Sequence, residues 1–136
     1  MPKEIQDISI LNSNGIVLFN RVFHEQVEAQ LFGALMSALN SFAQQLSDDG
    51  LKNFELSNKR FTLIKKKGFL FIANSSNKFK EKKVIQELGE ISQKFNNQYT
   101  DDFFKEWDND VSIFSDFKKE IEDALEDPIK KFWNGF

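Results

Sequence analysis

Residues 8–23 read ISILNSNGIVLFNRVF, and this stretch decides the fold. Ile8 and Ile10 alternate with neighbouring residues as in a half-buried strand, and the run that begins at Ile16 is β-branched and aromatic. Asn14-Gly15 separates the two runs, and both residue types tolerate the positive φ angles of a tight turn. The stretch therefore predicts an antiparallel β-hairpin at the start of the chain.

The apolar period changes from strand to helix after the hairpin. Between Glu25 and Ser47, apolar residues recur at spacings of three and four, which predicts a long helix, here helix 1. We expect one stripe of this helix to face the sheet. Its members are Val27, Leu31, Leu35, Ala38, Leu39, Phe42 and Leu46.

Three strands and two helices are predicted after helix 1. Phe54 and Leu56 alternate with polar residues, and a hairpin over 60–73 turns near Lys67-Gly68. Residues 69–73 are apolar without alternation, so we expect that strand to be covered on both faces. Helical periods follow over 80–98 and again after Asp110 or Ser112, either of which can cap a last helix.

The predicted element order is β-β-α-β-β-β-α-α. This order describes an α+β fold in which the two hairpin units join into a five-stranded antiparallel sheet, with helix 1 over one face and the later helices over the other. The 136 residues suit one domain, predicted over 1–127, followed by an amphipathic tail over 128–136. The chain has no cysteine and no apolar run long enough to span a membrane, so we expect a cytoplasmic protein, peripheral to a membrane at most.

Residues for catalysis or for cofactor binding are not found. A single histidine, His24, offers no second imidazole for zinc, and Asp108-Asn109-Asp110 lacks the Gly and terminal Glu of a calcium loop, so helix capping explains it better. No phosphate-binding Gly-rich motif and no hydrolase motif occur in the chain. We therefore expect no enzyme activity, no metal, no cofactor and, for an acidic protein, no nucleic acid.

Three stretches in this order resemble longin domains: residues 8–23, quoted above, the helix QVEAQLFGALMSALNSFAQQL at 26–46 and the hairpin RFTLIKKKGFLFIANS at 60–75. The likeness is closest to free-standing archaeal longin-like proteins. It implies a longin/profilin-like fold shared with roadblock proteins, and a role in protein interaction and not in catalysis. Such proteins commonly contact Ras-like small GTPases in membrane trafficking, form dimers with themselves or with a related domain, or hold a peptide between the long helix and strand 3.

The resemblance directs attention to the side of helix 1 that we expect to face outward. Only Glu28 is charged between Gln26 and Ser47, and small residues such as Gly33 let another backbone come close. We therefore expect this side of helix 1, with an edge strand 3, to bind a GTPase or a second copy, and Gly33→Arg to abolish binding without unfolding the chain. The alternative is that the chain's own loops cover the helix. The predicted interface residues are Ala29, Phe32, Gly33, Met36, Ser37, Asn40, Gln44 and Phe54.

Charge is unevenly distributed along the chain, although the net charge is only −3. Residues 59–83 contain nine Lys or Arg against one Glu, whereas residues 101–127 contain eleven Asp or Glu against three Lys. Either the two segments are solvated regions that attract each other, or the basic segment contacts an anionic partner such as a membrane surface. The apolar residues of the tail have a similar pair of explanations, docking on the domain itself or on a membrane or partner.

Overall fold

A computed structural model describes residues 5–21, 29–48, 50–56 and 58–121, with the side chains of Ala29 and Leu56 excepted. The strands are β1 Ile5–Leu11, β2 Val17–Arg21, β3 Asn53–Leu56, β4 Lys59–Lys66 and β5 Phe69–Ser76. The helices are α1 Ala29–Leu46, α2 Glu81–Gln98, α3 Asp101–Lys105 and α4 Phe117–Ile121, with a 3₁₀ helix at Val111–Asp116 before α4. His24 and the predicted tail over 128–136 lie outside the described residues.

Both predicted hairpins are confirmed, and glycine occupies the strained turn position in each. In the first, the Asn12 side chain accepts hydrogen bonds from the backbone N–H groups of Asn14 at 2.9 Å and Ile16 at 3.0 Å, and Gly15 has a φ of 82°. In the second, Lys67 and Gly68 have φ angles of 51° and 84°. Two successive positive φ angles fit the right-handed twist of the flanking strands.

The sheet is five-stranded and antiparallel throughout, in the order β2-β1-β5-β4-β3. Pairing of β1 with β5 joins the two hairpin units, so β5 lies in the middle of the sheet and β3 at one edge. Phe71 and Ala73 of β5 pack toward α2, whereas Leu70 and Ile72 pack toward α1. The expected coverage of this strand on both faces is therefore confirmed.

The larger core lies between the sheet and the C-terminal helices and is mainly aromatic. Phe95 of α2 is fully buried and contacts six other aromatic rings, which belong to Phe69, Phe71, Tyr99, Phe104, Phe114 and Phe117. The pairs with Phe69, Phe71 and Phe117 are edge-to-face, and such pairs add about 0.5–1.5 kcal/mol each beyond the area that they bury. They hold the short helices on the sheet, although single turns of helix are unstable by themselves.

The segment after α2 is more helical than its sequence suggests. Residues 101–105, which lie between the two predicted helical segments, form α3, whose first turn is capped by the Thr100 side chain through the backbone N–H of Phe103 at 3.4 Å. Asp110 caps the 3₁₀ helix as predicted, because its carboxylate accepts the Ser112 backbone N–H at 3.0 Å. A five-residue helix was not predicted because it contains too few turns to show an apolar period.

The predicted orientation of α1 is wrong. Met36, expected outside, is 1% exposed in the smaller core with Leu11, Val17 and Leu63. The stripe expected inside faces outward from Leu31 to Leu46, and its first member, Val27, lies outside the described residues. Gly33 is the reason for this orientation. A Cβ atom at position 33 would collide with the Val17 side chain and lie 3.2 Å from the Gly15 carbonyl oxygen, so only the side of α1 that carries this glycine can approach the β1–β2 turn closely.

Candidate protein-interaction surface

Five large apolar side chains form a continuous row on the outward face of α1. They follow one another at helical spacings of four, four, three and four, so the row is about 22 Å long. It holds five of the eight large hydrophobic residues that are exposed in the described part of the chain. We call this row the apolar stripe: Leu31, Leu35, Leu39, Phe42 and Leu46, which are 67%, 55%, 38%, 63% and 77% exposed.

The surroundings of the apolar stripe carry no charge within α1. The helix contains no Asp, Glu, Lys or Arg, and its other outward positions include Ala34, Ala38 and Ser41, all exposed. Charged residues normally keep the solvent face of a surface helix soluble. A contiguous exposed apolar surface without charges marks a site of protein or membrane contact.

Most of the residues predicted for the interface lie on the side of α1 that faces the sheet and not on its outward side. Gly33 and Met36 are buried, and Phe32, Ser37 and Asn40 are half-buried at the contact between α1 and the sheet. The Asn40 side chain accepts the Leu51 backbone N–H at 3.1 Å, so its amide serves the fold. Gln44 is also half-buried, close to Gly50. An interface formed by α1 and β3 stays a prediction, and the residues of α1 that we now expect to take part are those of the apolar stripe.

Strand β3 is a terminal strand of the sheet, as predicted. The Phe54 ring stacks on Phe61 of β4 at 4.7 Å, and Phe61 also contacts Phe32 of α1 at 5.8 Å between ring centroids. These three rings connect α1 to β3. Phe54, which was predicted as an interface residue, is therefore half-buried in this contact.

The polar side chains of β3 are bonded within the fold. The Asn53 amide donates to Glu81 of α2 at 2.8 Å, and Glu55 pairs with Arg60 at 3.0 Å. Arg60 is nearly buried and also donates to the Phe79 carbonyl oxygen at 2.8 Å. Native edge strands are usually protected by free charges, prolines or bulges. Between Asn53 and Leu56 none of these covers the outer edge, although the strand is only four residues long.

A side chain occupies part of the opposite edge, β2. The Gln30 amide accepts the Val17 backbone N–H at 3.1 Å and donates to the Val17 carbonyl oxygen at 3.1 Å. A primary amide that makes both bonds occupies the position that a peptide group of a neighbouring strand would take. A cavity of about 230 Å³ lies beside it, between β2 and the 3₁₀ helix.

Groups with shifted pKa values have structural explanations. Burial raises the pKa of the Tyr99 phenol, and the nearby carboxylates of Asp116 and Glu120 raise it further. Hydrogen bonds from the Ser112 hydroxyl and backbone lower the pKa of Asp110, which is the capping residue. In the described ranges, no group of three or more His, Cys, Asp or Glu residues is placed to hold a metal ion, and no helix has the length and apolar character to cross a membrane.

The family model for the first longin domain of FUZ, MON1 and HPS1 matches residues 6–102. The chain belongs to this longin family. The match covers the sheet, α1 and α2, so the resemblance noted in the sequence is confirmed. No curated protein matches this longin domain significantly in sequence.

Solved structures similar to this longin domain confirm the fold class. A Roadblock/LC7 domain from Streptomyces avermitilis aligns with a TM-score of 0.54 at 16% identity, covering 71% of this chain and 85% of that one. MglB from Myxococcus xanthus aligns with a TM-score of 0.52 at 10% identity, covering 68% and 85%. The gliding protein MglB from Thermus thermophilus gives 0.50 at 10%, covering 63% and 70%.

Proposed function

We propose that this longin domain is a non-catalytic, cytoplasmic interaction module that regulates or scaffolds a Ras-like small GTPase in a system related to membrane trafficking. The apolar stripe of α1 carries the proposal. Covering it against a partner removes five large side chains from water, whereas leaving it exposed gives a soluble protein an unfavourable surface. The GTPase, as the class of partner, comes from the longin family, whose members commonly contact Ras-like proteins.

The proposed docking surface combines two kinds of contact. The apolar stripe supplies buried area, and the outer edge of β3 supplies backbone N–H and C=O groups that can pair with a strand of the partner. Because the Phe32, Phe54 and Phe61 rings join α1 to β3, a partner that crosses the stripe also reaches the edge.

A binding assay with nucleotide-loaded GTPases tests this proposal. The full chain, immobilised, is exposed to Ras-like GTPases from the same genome, each loaded with GDP or with a non-hydrolysable GTP analogue. We expect one of these GTPases to bind in a nucleotide-dependent manner. Its binding should be lost with Phe42→Ser but kept with Ile113→Ser. Ile113 is an exposed apolar residue of the 3₁₀ helix and serves as the matched control. Equal loss with both variants would contradict the proposed surface, and absence of nucleotide-dependent binding would contradict the GTPase role.

A second candidate function is structural assembly with an identical or related chain through the same surface. Exposed Ala34 and Ala38 lie beside the protruding leucines of the apolar stripe. The leucines of an identical helix could therefore pack over these small alanine side chains. An interface between identical surfaces requires this self-complementarity. Binding that does not depend on nucleotide, with self-association that Phe42→Ser removes, would favour assembly over GTPase regulation.

A further inference from the structure

The basic segment of the chain is divided by the fold between the two ends of the sheet. In the β4–β5 pair, Lys66 lies opposite Phe69 next to the hairpin turn, and Lys59 lies opposite Ser76 at the other end. The strands between these points are about 23 Å long. Lys65, Lys66 and Lys67 therefore lie at the hairpin tip, far from the lysines that follow β5.

The end of the sheet opposite the hairpin tip collects six of the nine basic side chains of residues 59–83. We call it the lysine end. The start of β4, the loop between β5 and α2 and the first turn of α2 meet there. Three of its lysines are exposed and two are half-buried. In chain order they are Lys59, Lys78, Lys80, Lys82 and Lys83.

The carboxylates at the lysine end are already bonded within the fold. Glu55 pairs with Arg60 at 3.0 Å, Glu81 accepts the Asn53 amide at 2.8 Å, and Asp7 accepts the Asn74 amide at 2.9 Å. Within the described residues, this end presents the exposed side chains of Lys78, Lys80 and Lys82, even though the whole chain is acidic, with a net charge of −3.

We propose that the lysine end docks this longin domain on an anionic membrane surface. The lysines lie on strand ends, on a loop and on a helix start, so their charges are spread over a surface. The negative potential of anionic lipids attracts such clusters. Gly15 and Gly50, which contact α1, lie at the other end of the sheet, so docking leaves α1 accessible to a partner.

Vesicle co-sedimentation of the full chain tests this proposal. One variant carries Lys78→Gln, Lys80→Gln and Lys82→Gln at the lysine end. The matched control carries Lys65→Gln, Lys66→Gln and Lys67→Gln at the hairpin tip, which changes the net charge equally at exposed positions. Each lysine near an anionic surface strengthens binding roughly fivefold, so three together contribute about a hundredfold.

We expect the unmodified chain to bind phosphatidylcholine vesicles that contain phosphatidylserine, less so as salt is added, and not vesicles of phosphatidylcholine alone. The lysine-end variant should lose about a hundredfold in affinity, and the hairpin-tip variant should bind as the unmodified chain does. Equal loss in the two variants would show that net charge alone acts and would overturn the proposal. Displacement by inorganic phosphate at constant ionic strength would overturn it too, because it would indicate a discrete anion site. The binding assay with nucleotide-loaded GTPases is a separate experiment, so membrane docking and GTPase binding can each fail without the other.

Discussion

Replacing Phe42 with serine tests the apolar stripe most directly. Full burial of a phenylalanine side chain stabilises by roughly 1.5–3 kcal/mol. Phe42 keeps 63% of its surface exposed, so a partner that covers it gains only part of this energy, about 1.5 kcal/mol. Loss of the ring should therefore weaken binding to a different protein about tenfold.

The same substitution has a larger effect in a symmetric homodimer. Each copy then loses its ring, so the free energy of association falls by about 3 kcal/mol, or about two orders of magnitude in Kd. The size of the loss thus distinguishes the two candidate functions. Because Phe42 is exposed in the single chain, the free energy of unfolding should change by no more than about 0.5 kcal/mol.

Sedimentation equilibrium over a concentration series measures self-association, and titration with the GTPase measures binding to the partner. Urea denaturation shows whether the fold is intact, and Ile113→Ser, at a residue 43% exposed on the 3₁₀ helix, controls for the loss of an exposed apolar side chain. An unchanged Kd for the Phe42→Ser variant in both assays, with normal stability, would refute the role of the apolar stripe.

Three further predictions concern the fold around the docking surface. Gly33→Ala should lower the free energy of unfolding by about 1–3 kcal/mol because the added methyl group collides with Val17. Gly89→Ala, with nothing within 4 Å of the new Cβ, should be neutral or stabilising. Equal denaturation midpoints for the two variants would contradict the close packing of Gly33. Gln30→Ala should remove both bonds to Val17 and so promote aggregates larger than a dimer, whereas Gln45→Ala, at another exposed glutamine of α1, should not. Light scattering measures the difference in aggregate size. Identical scattering by the two variants would show that Gln30 does not hinder strand addition at the β2 edge. Because the pKa of Tyr99 is raised in the folded state, the unfolded chain ionises first, so the contribution of Tyr99 to stability is complete below pH about 10 and is lost as pH rises toward the folded pKa. Phenolate absorbance of this single tyrosine follows its ionisation during alkaline unfolding. Tyr99→Phe should abolish the loss of stability at high pH, and an equal loss in that variant would assign it to other groups.

Strand order and sheet topology could be predicted because their signals are local and unambiguous. Gly15 and Gly68 mark turns at positive φ angles that favour glycine, and residues 69–73 lack the alternation of a one-sided strand. Once two hairpins are separated by a long helix, few ways of joining them into one sheet remain.

The orientation of α1 could not be predicted from its period because both sides of the helix are free of charge. The more apolar side, with Leu35 and Phe42, was expected to be buried, but the side with Gly33 and Met36 faces the sheet. Close approach to the β1–β2 turn decides between the sides, and that contact appears only when the fold is assembled. The glycine in mid-helix was a signal of close packing, and the packing partner is the chain's own Val17.

The amide of Gln30 at the β2 edge has a consequence for stoichiometry. A sheet with two open edges can add chains at both sides without limit, and this is the route to fibres. Within the described residues, Gln30 occupies the backbone groups of Val17 at one edge, whereas none of the usual protections covers β3 between Asn53 and Leu56 at the other edge. We therefore expect an assembly through β3 to stop after two sheets have joined, because Gln30 hinders strand addition at each outer end. One side chain thereby favours a finite pair over a polymer.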